Sequence, residues 1–169
     1  MNNDSSEAGQ AAGGGACQVL TFSLGSETYG VDILRVKEIR GWSPVTRIPH
    51  SPACVLGVLN LRGAVVPIID LRIRFSLPKA EFTSATVIIV LSLHTAQGQR
   101  ECGVVADSVR DVADVALDKI QPVPAMYAGT ATEFIKGITT IDEQMLILLD
   151  PDDLVARALA PTEIPGEAA

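Results

Sequence analysis

Gly57-Val58-Leu59-Asn60-Leu61-Arg62-Gly63-Ala64-Val65-Val66-Pro67-Ile68-Ile69-Asp70-Leu71 is the stretch whose reading decides the fold. Local patterning predicts a short helical turn over 51–57 that stops at Gly57. A strand over 58–62, a tight turn at Gly63, a strand over 64–70 and a second helical turn follow. Adding 80 to Gly57, Leu61, Ile69 and Asp70 lands on Gly137, Ile141, Leu149 and Asp150. There, 138–141 reads as a strand, 142–144 as a turn and 145–149 as a strand. The hairpin is present twice, so the chain reads as a duplication.

Working outward, residues 18–24 alternate apolar and polar, Gly25-Ser26 turns, and 28–32 returns as a hairpin. Residues 33–40 read as one helical turn followed by a strand. Pro44, Pro49 and Pro52 exclude long regular elements and make 41–52 a loop. Pro67 has no backbone donor, which predicts an edge or a bulge at that strand. Residues 71–75 form a helical turn capped by Asp70, and 76–84 a linker. The run 86–93 is almost wholly apolar, as in a strand buried on both faces. A polar turn over 95–100 leads to a strand over 101–106. With an offset of 73, Gly30, Val31, Val36 and Ile39 map onto Gly103, Val104, Val109 and Val112. The shift from 73 to 80 needs seven extra residues, for which 126–132 is the natural place. The one convincing helix starts at Asp150-Pro151-Asp152-Asp153, with Asp as N-cap, Pro at the first position and acids where the exposed amides favour them.

These elements predict a mainly β fold, about five short strands per half, as two SH3-like β-barrels sharing a core, with short helices and one C-terminal helix. The halves divide as 17–80 and 81–158, with strands open to exchange between them. Residues 1–16 and 159–169 are too poor in apolar side chains to offset their ordering entropy and read as disordered tails.

Of 169 residues, 47% are hydrophobic and 4% aromatic, so the core is expected to be aliphatic. Removing the four tail acids leaves 13 basic and 16 acidic residues over 17–160, a net charge of −3. That balance argues against nucleic acid or an anionic membrane as partner. Cys17, Cys54 and Cys102 are odd in number, widely spaced and without a C-x-x-C pair, as free thiols in a reducing cytosol would be. No apolar run is long enough to span a bilayer, and no signal-peptide pattern opens the chain. A cytoplasmic location is expected.

Patterns for phosphate loops, zinc proteases, redox dithiols and nucleophile elbows are missing, and His50 and His94 are isolated. Asp70 and Asp150 could be paired catalytic carboxylates, but each directly precedes a helical turn, and two duplicated N-caps explain them better. Neither an enzyme, a cofactor nor a metal is expected. Glu38 and Arg62 stand on strands flanked by apolar residues, which suggests a cross-strand ion pair. It is either a surface salt bridge worth under about 1 kcal/mol, or the ordering element of a shallow apolar groove floored by Ile33, Val36 and Val58 that takes a partner helix. A small molecule held between the duplicated halves is the competing class.

The segments 29–34 and 36–41, Val45-Thr46-Arg47-Ile48-Pro49, the Asn60-Leu61-Arg62-Gly63 turn with 66–72, Ile120-Gln121-Pro122-Val123-Pro124, and 145–150 together resemble the CheW family of chemotaxis coupling proteins over 17–157. The resemblance implies a non-catalytic double SH3-like barrel that bridges the cytoplasmic tip of chemoreceptors to the regulatory domain of the histidine kinase CheA. Length favours the standalone coupling protein over the CheV adaptor, which shares the module. Receptor contact is carried over to Ile33, Val36, Glu38, Gly57 and Arg62. Kinase contact is carried over to Gln121, Met126 and Tyr127, although Gln121 replaces a frequent basic residue and the turn 94–101 is longer than usual. Recruitment to membrane-associated receptor arrays, with ring assembly within them, is also implied.

Overall fold

The structure is a computed structural model that describes residues 15–75, 77, 81–123 and 134–159. Ten strands account for most of it: β1 (Ala16–Leu24), β2 (Glu27–Asp32), β3 (Val36–Gly41), β4 (Val55–Leu61), β5 (Ala64–Asp70), β6 (Val87–Thr95), β7 (Gly98–Ala106), β8 (Ser108–Ala116), β9 (Ile135–Ile141) and β10 (Gln144–Leu149). Single 3-10 turns at Ile33–Arg35 and Leu117–Lys119 follow β2 and β8, and helices α1 (Leu71–Arg74) and α2 (Pro151–Leu159) follow β5 and β10. Asp70 caps α1 by accepting from the Arg72 N–H, and Asp150 caps α2 by accepting from the Asp152 and Asp153 N–H groups. Both duplicated aspartates therefore act as N-caps. No helix among the described residues is long and apolar enough to cross a membrane.

The strands form two five-stranded sheets, sheet I in the order β8-β1-β2-β10-β9 and sheet II in the order β3-β6-β7-β5-β4. Equating β1–β5 with β6–β10 makes the two orders identical. In each sheet a hairpin from one half is flanked by three strands from the other, joined by one parallel pairing, β2 with β10 and β7 with β5. The register repeats in detail. Leu148 faces Gly30 as Ile68 faces Gly103, and the bulge between Val36 and Glu38 recurs between Val109 and Asp111. At its turn end the β6–β7 hairpin carries two further rungs, His94 with Gln99 and Thr95 with Gly98. The residues read as a polar turn over 95–100 thus mostly extend the ladder, and only Ala96 and Gln97 turn.

The core has three parts. Leu61, Val66, Ile68, Ile88, Val90 and Val105 fill the inside of sheet II, and Val19, Val115, Leu146 and Leu148 the inside of sheet I. The largest cluster lies between the sheets, with Leu20, Phe22, Leu24 and Val31 from sheet I against Ile69, Ile89, Leu91 and Val104 from sheet II, closed by Leu154 and Val155 of α2. Although aromatic residues are few, four of them run as a stack through this middle layer, Phe22 on Tyr29 on Phe75 on Phe134 at 5.3–6.1 Å between centroids. Cys54 and Cys102 are buried thiols in it, and burial pushes both up from their ordinary value.

Two expectations are corrected. No helical turn ends at Gly57; β4 begins at Val55 and runs through Gly57 at a bulge. Pro67, expected at an edge or a bulge, lies on β5, an interior strand of sheet II, and the bulge next to it falls on the partner strand β4, between Val55 and Gly57. The ladder with β7 begins only at Ile68, so the missing N–H removes no rung on that side.

Two polar clamps tie the halves together. Arg72, 3% exposed, donates to both oxygens of Asp70 and to Asp107, whose other oxygen accepts the Gly25 N–H. At the equivalent place Arg35 pairs with Asp152, which also accepts the His94 N–H, while Arg35 donates to the Ser92 carbonyl at 2.6 Å. Guanidinium and carboxylate stand on opposite halves in the two clamps, since Asp152 corresponds to Arg72 and Arg35 corresponds to Ser108, the neighbour of Asp107.

Candidate partner-binding site

Sheet II rolls until its two ends meet. β3 and the β4–β5 turn lie at opposite ends of the strand order, yet Arg62 Nη1 donates to Glu38 Oε1 at 2.6 Å across the seam. Arg40 supports the same carboxylate from its own strand at 3.4 Å. The Arg62 hydrogen bond holds the Glu38 carboxyl below its ordinary value; partial burial opposes this, and the Arg62 and Arg40 charges reinforce it. Arg62 sits in the left-handed region at φ 53°, in a turn that the Asn60 side chain closes by accepting the Gly63 N–H. The Asn-Leu-Arg-Gly motif is therefore the device that aims the guanidinium back across the seam.

Beside that pair the surface is apolar. Ile33 and Val36 pack against the edge of the inter-sheet core. Register sets Val36 opposite Leu91 and Leu91 opposite Cys102 on one side of sheet II, and Val58 opposite Pro67 on the other. Val36 and Val58 thus lie on the two edge strands of sheet II, with the buried Leu91 and Cys102 on strands between them, and Ile33 sits on the 3-10 turn before β3. Ile39 and Val65 add exposed apolar area, Val65 at 66%. Leu34 on the 3-10 turn is the most exposed large apolar residue in the described structure, at 85%. Sequence reasoning placed it in a motif but not in the site. The signal was available, because Ile33 and Val36 at helical spacing leave position 34 pointing outward, where a leucine has no folding role.

Gly57 lies beneath the site. A strap at Thr46 exchanges both hydrogen bonds with Val58, at 3.0 and 2.8 Å. A Cβ on Gly57, with φ 156°, would stand 2.3 Å from the Thr46 carbonyl oxygen. The same construction recurs at Gly137, where Gln121 bridges Ile138 and a Cβ would lie 2.4 Å from the Ile120 side chain. Gln121 is thus exposed on a backbone strap of barrel I. Met126 and Tyr127 lie outside the described residues.

Between the halves the core leaves an enclosed void of only ≈ 10 Å³, lined by Phe22, Leu71, Leu91 and Leu154 among others, too small for any organic ligand. A larger groove of ≈ 900 Å³ opens on the outside, between β5, the extended β6–β7 hairpin and α2. Among the described residues no three His, Cys, Asp or Glu side chains are grouped to hold a metal.

The two five-stranded sheets fall within the span of one family model. Residues 18–159 match the model described as CheW-like domain. The chain belongs to the CheW-like family. It is 45% identical over 139 residues to a chemotaxis protein CheW of Klebsiella aerogenes, covering 82% of this chain and 81% of that one. A probable chemotaxis protein CheW of Rhizobium etli is 39% identical over 140 residues, covering 83% and 88%. Among solved structures, the scaffolding protein TtCheW of Thermoanaerobacter tengcongensis superposes with a TM-score of 0.74 at 31% identity, covering 82% of this chain and 86% of that one. CheW-like membership thus covers both barrels and both straps.

Proposed function

We propose that this chain is a non-catalytic chemotaxis adaptor that couples the cytoplasmic tip of chemoreceptors to the regulatory domain of the histidine kinase CheA, in the cytoplasm at membrane-associated arrays. The chemotaxis and scaffolding part of the reading is supported by the names carried by its CheW-like relatives. The coupling part is supported chiefly by one observation, the Glu38–Arg62 pair at 2.6 Å set in an exposed apolar surface. A surface pair of this kind contributes little to folding. As a fixed polar mark beside Ile33, Val36 and Leu34 it orients an amphipathic helix, whose apolar stripe covers the floor while a polar side chain meets the pair. Two weak contacts suffice, because an array holds both partners at high effective concentration.

Arg62→Glu tests this in a pull-down with a receptor-tip fragment. Repulsion from Glu38 should weaken capture at least tenfold while thermal unfolding stays cooperative. Undiminished capture by a folded variant would falsify the reading.

A further inference from the structure

The duplication supplies its own reference for one departure of the second half from the first. At the turn end of β1–β2 the last rung joins Leu24 to Glu27, and the equivalent rung of β6–β7 joins Leu93 to Arg100. Gly25 and Ser26 alone link the first rung, whereas residues 94–99 link the second, an excess of four. Both hairpins are anchored where they diverge: the Gly25 N–H donates to Asp107 at 2.8 Å and the His94 N–H to Asp152 at 2.9 Å. Beyond that anchor residues 94–99 are all exposed and add nothing to the core. They close on hydrogen bonds of their own, since the Thr95 hydroxyl donates to the Gly98 carbonyl at 2.7 Å and accepts the Gln97 N–H at 3.2 Å. Ordering this tip costs conformational entropy that no burial within the chain offsets.

The extension is one wall of the groove of ≈ 900 Å³, with the start of β5 and the first half of α2 as the others. Ala64, Val65 and Ala156 are exposed in it, and the buried Leu93 and Val155 close it from the core side. The groove continues the Glu38–Arg62 site. Glu101, which lines the groove, pairs with Lys37 at 3.5 Å. The Arg62 guanidinium is held above its ordinary value first by the Glu38 hydrogen bond and charge, against partial desolvation, and then by the charge of Glu101. Glu101 and Asp152 are matched by Lys37 and Arg35. Arg100, on the hairpin wall, makes no ion pair among the described residues, and Asp153 stands on the opposite, α2 wall.

We infer that the four-residue extension of β6–β7 is a specificity element of the receptor face. It lengthens the docking surface for an amphipathic receptor-tip helix whose apolar stripe runs from the Glu38–Arg62 pair over Val65 to Ala156, and whose flanking acid meets Arg100. Continuity with the ion-paired seam sets the path of that helix, and unlike charges on the two walls set its orientation. The extension's own Thr95, Gln97 and Gln99 are uncharged, so they discriminate by hydroxyl and amide contacts that a mismatched helix leaves unmade. The inference rests on the adaptor reading, which supplies the helix; what it adds is the segment that tells one receptor from another.

The test shortens the hairpin in the full chain to the length of its counterpart. Residues 95–98 are removed, and His94→Gly with Gln99→Ser supplies the Gly25-Ser26 turn that closes the equivalent ladder. Arg100→Glu is the second variant; it installs the residue that the first half has at that rung, Glu27. Both should unfold cooperatively near the parent temperature and keep parental affinity for the purified kinase regulatory domain. Calorimetric titration with a panel of purified receptor-tip fragments should show the shortened variant binding the parent's best tip roughly fivefold more weakly, with the spread of affinities across the panel narrowed. Arg100→Glu should weaken the same tip by a similar factor and recover affinity for a tip in which an acid flanking the apolar stripe is changed to lysine. Should the shortened variant not fold, Arg100→Glu, at an exposed position, carries the test alone. Parental affinities in the same rank order for the folded variants overturn the inference. A loss confined to the kinase domain overturns it too, as does parent self-association that shortening abolishes, because each assigns the groove to another occupant. Weakened capture by Arg62→Glu beside parental binding by both hairpin variants leaves the adaptor reading standing and this inference refuted; undiminished capture by Arg62→Glu removes both.

Discussion

At the scale of single residues, Glu38 reports directly on the seam of barrel II. Its carboxyl lies below the ordinary 4.5, first because Arg62 donates to it and then through the Arg62 and Arg40 charges, against the desolvation that works the other way. A depressed folded pKa means that the pair's contribution is present above 4.5 and is lost as pH falls through the lower folded value. Carbon-detected NMR should therefore find Glu38 titrating below 4.5 in the parent. In Arg62→Ala its midpoint should move up towards 4.5, with only a small loss of thermal stability at neutral pH. A parent midpoint at or above 4.5 would contradict the hydrogen bond. Gly57 and Gly137 show the other kind of constraint: each is glycine because a backbone strap crosses within van der Waals distance. From sequence Gly57 could be given a helix-ending role, since the partner in that crossing, Thr46, is brought there by a Pro-rich loop whose path no periodicity encodes.

Among the elements, the clamps carry the sharpest energetic contrast. Arg72 and Asp70 are both buried, so Arg72→Met strands two carboxylates and should cost ~3–5 kcal/mol in urea unfolding. Arg35→Met, at the more solvated counterpart with Arg35 and Asp152 side chains 18% and 32% exposed, should cost about 1 kcal/mol. Equal losses would show that the two sites are not graded by burial. Much at this scale was legible in the primary structure. The alternation in 18–24, the Asn60-Leu61-Arg62-Gly63 turn and the Asp-Pro start of α2 each state their element in local chemistry. What escaped was longer in range. The extended β6–β7 ladder is polar because it projects past the core, so its composition resembles a turn. Pro67 resembles an edge residue because the start of the β7 ladder is set by a partner 35 residues away. Glu38 and Arg62 could be paired from their strands and flanking residues, but the roll of sheet II that brings its opposite ends together could not be read from either strand.

For the whole molecule the decisive fact is that neither half owns a barrel. Each sheet has a hairpin from one half at its centre and three strands of the other around it. Fragments 15–80 and 81–159, made separately, should each lack cooperative unfolding and the dispersed amide spectrum of a β protein. Mixed at equal concentration they should recover both, and a fragment that folds alone would contradict the exchanged pairing. The inverted clamps give that mixing a direction. Were two copies of the first half to embrace each other, Arg72 of one would confront the Arg35 corner of the other, cation against cation. Two second halves would set Asp152 against the corner that holds Asp107. Like halves therefore repel at these corners and unlike halves attract, so the inverted clamps favour the pairing of a first half with a second half.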